Sequence, residues 1–176
     1  MQIMRTNRRQ ILQGYREIGY AVQRSVKLQR SFHFTPKADL IVVEKSAYRM
    51  RLFSHGQELQ SFRVALGRGS SGNKVREGDN KVPEGTYRIA GRNPHSTFHL
   101  SLRIGYPTPE QARMAQARGI NPGGDVMIHG IRRGLGWIGP LHRYLDWTRG
   151  CIAVTDNEMD EIWRWMPDGT VIVIEP

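Results

Sequence analysis

Apolar residues along this chain recur with two different periods, and the change from one to the other falls near residue 37. Ile11, Tyr15, Ile18, Val22 and Val26 step by four, three, four and four, the spacing of one apolar helix face. The arginines of that stretch lie largely on the other faces. Beyond Pro36 the period shortens to two. Residues 40–43 are an apolar run of strand length, and Tyr48, Met50 and Leu52 alternate with Arg49 and Arg51. After Ser54-His55-Gly56, the positions Leu59, Ser61, Arg63 and Ala65 oppose Gln60, Phe62, Val64 and Leu66. Two alternating runs about a Gly-containing turn predict a β-hairpin. Residues 67–80 read as a loop, Pro83-Glu84-Gly85 as a turn, and 86–90 as a further strand.

The helical period returns twice. Thr108 can cap a segment at 107–118, with Pro109 at its first position and Ala112, Met114 and Ala115 following. Residues 126–128 make a short buried strand before a glycine-rich stretch at 130–140. Thr155-Asp156-Asn157-Glu158 fits a capping box, and Met159, Ile162, Trp163 and Met166 form one apolar face that Gly169 terminates. Residues 171–174 are the last strand. The pattern predicts a mainly β domain at 38–176 with about two short helices, preceded by a basic helical arm at 1–37. No internal repeat is visible.

Charge sharpens that division. Eight of the 26 basic residues but only one of the 16 acidic ones fall within residues 1–37, so the arm carries +7 of the net +10. Such an arm favours an anionic surface, whether wall polymer, phospholipid or nucleic acid. Its helix packs either on the main domain, on a partner or on a membrane surface. No apolar run approaches the roughly 20 residues of a membrane helix. No secretory signal is visible, so export rests on a signal removed from this chain or on another route. A hydrophobic fraction of 39% is enough for a core.

The single cysteine, Cys151, excludes an internal disulfide and any four-thiolate metal site. It stands in Trp147-Thr-Arg-Gly-Cys151-Ile-Ala-Val154. Gly150 leaves room beside the thiol for a substrate carbonyl, the amides of Gly150 and Cys151 can face a developing oxyanion, and Arg149 favours thiolate. A lone cysteine is also, by residue type, a small buried hydrophobe. A nucleophilic thiol with an ordinary pKa of about 8.5 needs a base. His129, projected from a strand end before Gly130, is one candidate, and His142 is the other.

These residues carry a resemblance. His129-Gly130 with Thr148-x-Gly150-Cys151-Ile152 resembles the signature of the L,D-transpeptidase (YkuD-type) catalytic domain. Ala65-Leu-Gly67, Gly72-x-Lys74, Glu77-Gly-Asp79 and Pro83-Glu-Gly-Thr-Tyr87 are similar to the segment leading into that site. Asp146-Trp-Thr148 and the stretch from Gly150 through Trp163 resemble the ErfK/YafK-like branch. The resemblance spans about residues 38–176 and implies a β-sandwich with the cysteine and histidine in a groove. It implies Cys151 as nucleophile, His129 as base, the Gly130 carbonyl orienting the imidazole, and Thr148, Gly150 and Cys151 framing the oxyanion. Implied too are acyl transfer or hydrolysis on peptidoglycan stem peptides through a thioester, no metal or organic cofactor, and a periplasmic or cell-envelope location. Two departures bear on the acceptor: Arg149 and Ala153 stand where many members have His and Arg, and 21 residues separate His129 from Cys151, a longer gap than in much of the family. Arg149 binds a substrate carboxylate or stands as a solvated rim charge. His142 is a substrate-proton partner or the base itself.

Three other readings compete. His95 and His99 suggest zinc, but Pro94 and Ser96-Thr-Phe98 suit an extended segment rather than a two-histidine helix. Gly67-Arg-Gly-Ser-Ser-Gly72-Asn-Lys74 approximates a phosphate loop yet places Val75 where a Ser or Thr would meet magnesium. Specific nucleic-acid binding lacks interleaved aromatic and basic strand residues. A wall-binding module without catalysis is the non-enzyme alternative.

Overall fold

The computed structural model describes Gln13 and residues 37–69 and 71–176; the predicted stripe from Ile11 to Val26 lies outside the described residues. Strands β1 (Leu40–Glu44), β2 (Arg49–Ser54) and β3 (Gln57–Arg63) form an antiparallel meander. Its hairpin turns through His55 and Gly56, both at positive φ. Strand β8 (Val171–Glu175) inserts parallel to β1, and β4 (Gly85–Asn93) pairs antiparallel with β8 through its first half. Its second half pairs with β5 (Ser101–Ile104), across an irregularity at Ile89/Gly91. Strands β6 (Met127–His129) and β7 (Ile152–Ala153) complete the order β3-β2-β1-β8-β4-β5-β6-β7.

The fold is therefore mainly β, as the pattern and the resemblance predicted, and forms an eight-stranded sheet curled at β4. Helix α1 (Pro109–Ala117) starts at Thr108, and α2 (Asp156–Trp165) starts at Thr155, each through a complete capping box, with Gln111 and Glu158 closing the two. A 3-10 segment at Gly136–Tyr144, broken at Gly139, fills part of the glycine-rich stretch. Both halves of the sheet share one core: Met50, Leu52 and Ile172 from one side meet Leu102, Ile104, Ile128 and Ile152 from the other. Met159, Ile162 and Met166 of the α2 region close it. Alternation in β5 and β6 sends Leu102, Ile104 and Ile128 inward and turns Ser101, Arg103, Met127 and His129 to the opposite face. That second face carries the chemistry.

Candidate active site

The approach to the site is a loop held by buried charge. Lys74 Nζ reaches Asp79 Oδ1 at 2.8 Å and the Arg76 carbonyl at 3.0 Å. Burial alone would raise the Asp79 carboxyl, but hydrogen bonds from Arg76, Lys74, Val75 and Lys81 outweigh it and hold the group well below the usual carboxylate range. Lys45 fastens the same region to the end of β1, donating to Gly72 O at 2.6 Å and Glu84 Oε1 at 2.8 Å. The Lys74 ammonium is thus a structural cation, which removes the phosphate-loop reading. His99 likewise meets Asp160 Oδ1 at 2.8 Å, and no metal-binding cluster exists among the described residues.

Asp146 pins the segment that leads to the thiol. Its Oδ1 accepts from the Leu66 amide at 2.9 Å and its Oδ2 from the Tyr48 hydroxyl at 2.9 Å. Thr148 then folds the next three residues. Its Oγ1 accepts from the amides of Gly150 at 3.2 Å and Cys151 at 3.0 Å and donates to the Cys151 carbonyl at 2.8 Å. The Gly150 and Cys151 amides donate to Thr148 Oγ1, so Thr148 shapes the turn. One expectation changes here. The space beside Gly150 is filled by protein: at φ +113°, an added Cβ would sit 2.7 Å from the Lys81 carbonyl.

Strand pairing relates the strand that ends at His129 to the one that follows Cys151. Parallel β6 and β7 align Ile128 with Ile152 and His129 with Ala153. Ile152 is fully buried, so Cys151 just before it faces the His129 side of the sheet. The thiol is partly exposed and directed at the Asp125 carbonyl, 3.6 Å away. Burial pushes its pKa up, and the Met127 amide and the Lys74 charge oppose that rise. The buried His129 ring packs 4.6 Å from Phe98 and 5.6 Å from Trp147, centroid to centroid. Its Nδ1 lies 2.7 Å from the Gly130 carbonyl. Because a carbonyl only accepts, Nδ1 carries the hydrogen and Nε2 is left as the basic nitrogen. Burial lowers the ring's pKa against the opposing Gly130 contact, so it is neutral near pH 7.

His142 lies behind this pair. Its Nδ1 accepts from Trp147 Nε1 at 3.3 Å, and Trp147 stands against His129. Burial first, then the neighbouring Arg143, lowers its pKa to about 4, and its Nε2 is buried without a partner. His142 therefore touches the site through an indole. Arg149 is exposed. Beside them the 3-10 segment exposes Trp137, Leu141 and Tyr144, and Leu145 just after it is exposed too. The sequence reading missed Ser101, Arg103, Asp125 and Met127; the alternation of Ser101-Leu-Arg-Ile104 was the available signal for the first two.

The profile of the YkuD family, described as the L,D-transpeptidase catalytic domain, matches residues 38–174. YafK of Escherichia coli (strain K12) is 29% identical over 117 residues, which are 65% of this chain and 40% of that protein. Among solved structures, the helical cell shape determining protein Pgp2 from Campylobacter jejuni superposes with a TM-score of 0.60 at 21% identity, covering 80% of this chain and 48% of that one. Bdellovibrio bacteriovorus Bd1075 gives 0.57 at 22% identity, covering 84% and 51%. The L,D-transpeptidase from Xylanimonas cellulosilytica gives 0.54 at 15%, covering 83% and 64%. The chain spans well under two thirds of YafK and about half of Pgp2.

Proposed function

The chain belongs to the YkuD family of L,D-transpeptidase catalytic domains, and on that premise we propose that it is a cysteine acyltransferase acting on peptidoglycan stem peptides. Cys151 is the nucleophile and His129 the general base. The observation that supports this reading is the β6–β7 register, which pairs His129 with Ala153, two residues after Cys151, so that alternation gives Cys151 and His129 the same face. His129 Nε2 takes the Sγ proton as the thiol turns from the Asp125 carbonyl toward the ring. Sulfur attacks the stem-peptide carbonyl, and the tetrahedral adduct expels the terminal D-residue as an amine that receives its proton from the imidazolium. The thioester then passes to an amine or to water, with His129 again taking the proton of the attacking group. A raised thiol and a neutral imidazole favour this base-assisted route over a preformed thiolate.

Thr148 and Asp146 are positioning residues in this scheme. The setting is the cell envelope, and the +7 arm at residues 1–37 supplies attraction to an anionic wall or membrane surface. Mass spectrometry of muropeptides incubated with the chain tests the reading. Loss of a terminal D-residue shows transfer to water, and a new crosslink shows transfer to an amine. The Cys151→Ala variant should give neither. Unchanged muropeptides with the parent chain, alongside equal binding by parent and variant, would make it a wall-binding module instead.

A further inference from the structure

The stretch between His129 and Cys151 turns two sets of side chains in opposite directions, and the acyl-transfer steps leave the outer one unused. Inward, Asp156 Oδ1 accepts from the Ile131 amide at 2.7 Å, Arg143 pairs with Glu158, and His142 meets Trp147. Those contacts fix the segment on the start of α2. Outward, Leu135, Trp137, Leu141, Tyr144 and Leu145 are exposed, Trp137 and Tyr144 to 81% and 83%. Leu141 and Tyr144 lie three apart in the turn after Gly139, the spacing that stacks side chains on one side of a 3-10 helix. Monomeric proteins rarely leave so many large apolar side chains together in water.

The exposed charges flanking this run have one sign. Arg132 precedes it and Arg149 follows it; both are exposed and make no ion pair among the described residues. The acids that touch the segment are engaged: Asp146 by Leu66 and Tyr48, Asp156 by Ile131, and Glu158 by Arg143 and Thr155. The partner that fits is therefore both apolar and anionic. A hydrophilic anionic wall polymer would meet the arginines and leave the Trp, Leu and Tyr side chains wet. A second copy laid on the same face by two-fold symmetry would set arginines against arginines, and the arm, at +7, would do the same. A lipid surface offers both parts, phosphates at the level of the arginines and acyl chains below them.

We propose that this face docks on an anionic lipid bilayer, with Trp137, Leu141, Tyr144 and Leu145 entering the boundary between headgroups and acyl chains and Arg132 and Arg149 meeting lipid phosphates. Trp and Tyr suit that depth because each joins an apolar ring to a polar N–H or O–H. Leu145 stands two residues before Trp147, whose ring packs 5.6 Å from that of His129. The docked face thus brings His129 to the membrane surface. The proposal stands apart from the acyl-transfer reading, since neither Cys151 nor His129 makes the lipid contact.

Tryptophan fluorescence separates this face from the arm, because the arm holds no tryptophan and all four stand at 137, 147, 163 and 165. The full chain is titrated with vesicles of phosphatidylglycerol and phosphatidylethanolamine, and with phosphatidylcholine alone, each with and without brominated acyl chains. On the anionic vesicles the emission should shift to the blue and be quenched by the bromines. Trp137→Phe should lose both signals while the chain still sediments with the vesicles. Leu141→Ser combined with Tyr144→Ser should weaken vesicle binding about tenfold or more, and phosphatidylcholine should bind more weakly than the anionic mixture. Vesicle binding without quenching of Trp137 would mean that the arm alone holds the chain, and would overturn the proposal. So would unchanged affinity in the double variant, or sedimentation with insoluble peptidoglycan but not with vesicles. A concentration-dependent dimer that the double variant dissolves, with no vesicle binding, would overturn it in favour of a second copy.

Discussion

Thr148 holds both backbone polar groups of Cys151: one hydroxyl accepts from the Cys151 amide at 3.0 Å and donates to the Cys151 carbonyl at 2.8 Å. A hydroxyl has one donor and two acceptor sites, so the Gly150 amide at 3.2 Å completes it. Thr148→Val keeps the shape and removes all three bonds. We expect a loss of about 1–3 kcal/mol in stability and a large fall in kcat. Thr148→Ser should restore most of both, whereas a merely space-filling role would make Val the better replacement. Steady-state kinetics and denaturant unfolding of the two variants decide this.

Gly150 is fixed by its surroundings. Ala there must adopt φ +113° and bring its Cβ within 2.7 Å of the Lys81 carbonyl. Strain of that kind costs about 1–3 kcal/mol even before the contact is counted. Gly150→Ala should lower the unfolding midpoint and abolish thiol-dependent turnover. An unaltered thermal transition would contradict the backbone account.

Much of the frame was legible along the chain because it is local. The Thr108 cap with Pro109 and the Thr155–Glu158 box read directly as helix starts, and the runs that became β1 and β8 read directly as strands. β5 and the two-residue β7 were not legible as strands, since each owes its existence to partners distant in sequence. The same limit applies at the site. Residue type and local context suggested Cys151 and His129, and the resemblance implied the Gly130 carbonyl. Local context gave Gly150 the wrong neighbour, because the Lys81 carbonyl arrives only when the 67–84 loop folds back.

The pH dependence follows from the direction of the histidine shift. Protonating Nε2 of His129 removes the acceptor for the thiol proton, so kcat/KM falls as pH drops through the ring's folded value. Burial places that value below the ordinary 6.5. The acid limb should therefore lie below pH 6.5, and a limb above it would contradict a buried neutral base. In His129→Ala, alkylation of Cys151 by iodoacetamide should have its midpoint above the ordinary thiol value of about 8.5.

The two histidines should behave differently. His129→Ala removes the base and should lower kcat by about 100-fold or more. His142→Ala leaves Nε2 of His129 in place and disturbs only the Trp147 contact, so its loss should be smaller. Parallel kinetics on the two variants check the order, and a reversed order would make His142 the base.

Asp79 has the opposite linkage to a group with a raised pKa. Its folded carboxyl is depressed, so its contribution to stability is present above the unfolded value of about 3.9 and is lost as pH falls toward the folded value. Asp79→Asn should lower the unfolding midpoint at pH 7, and the gap from the parent should narrow below about pH 4. A gap independent of pH would show that the carboxylate charge does not hold the loop.

Intact-mass spectrometry of the chain quenched during turnover of a stem tetrapeptide bears most directly on the nucleophile. The account predicts one added mass, that of the tripeptide acyl group, on Cys151, with none on Cys151→Ala. Release of the D-residue by the Cys151→Ala chain, or an acyl adduct on any other side chain, would contradict it.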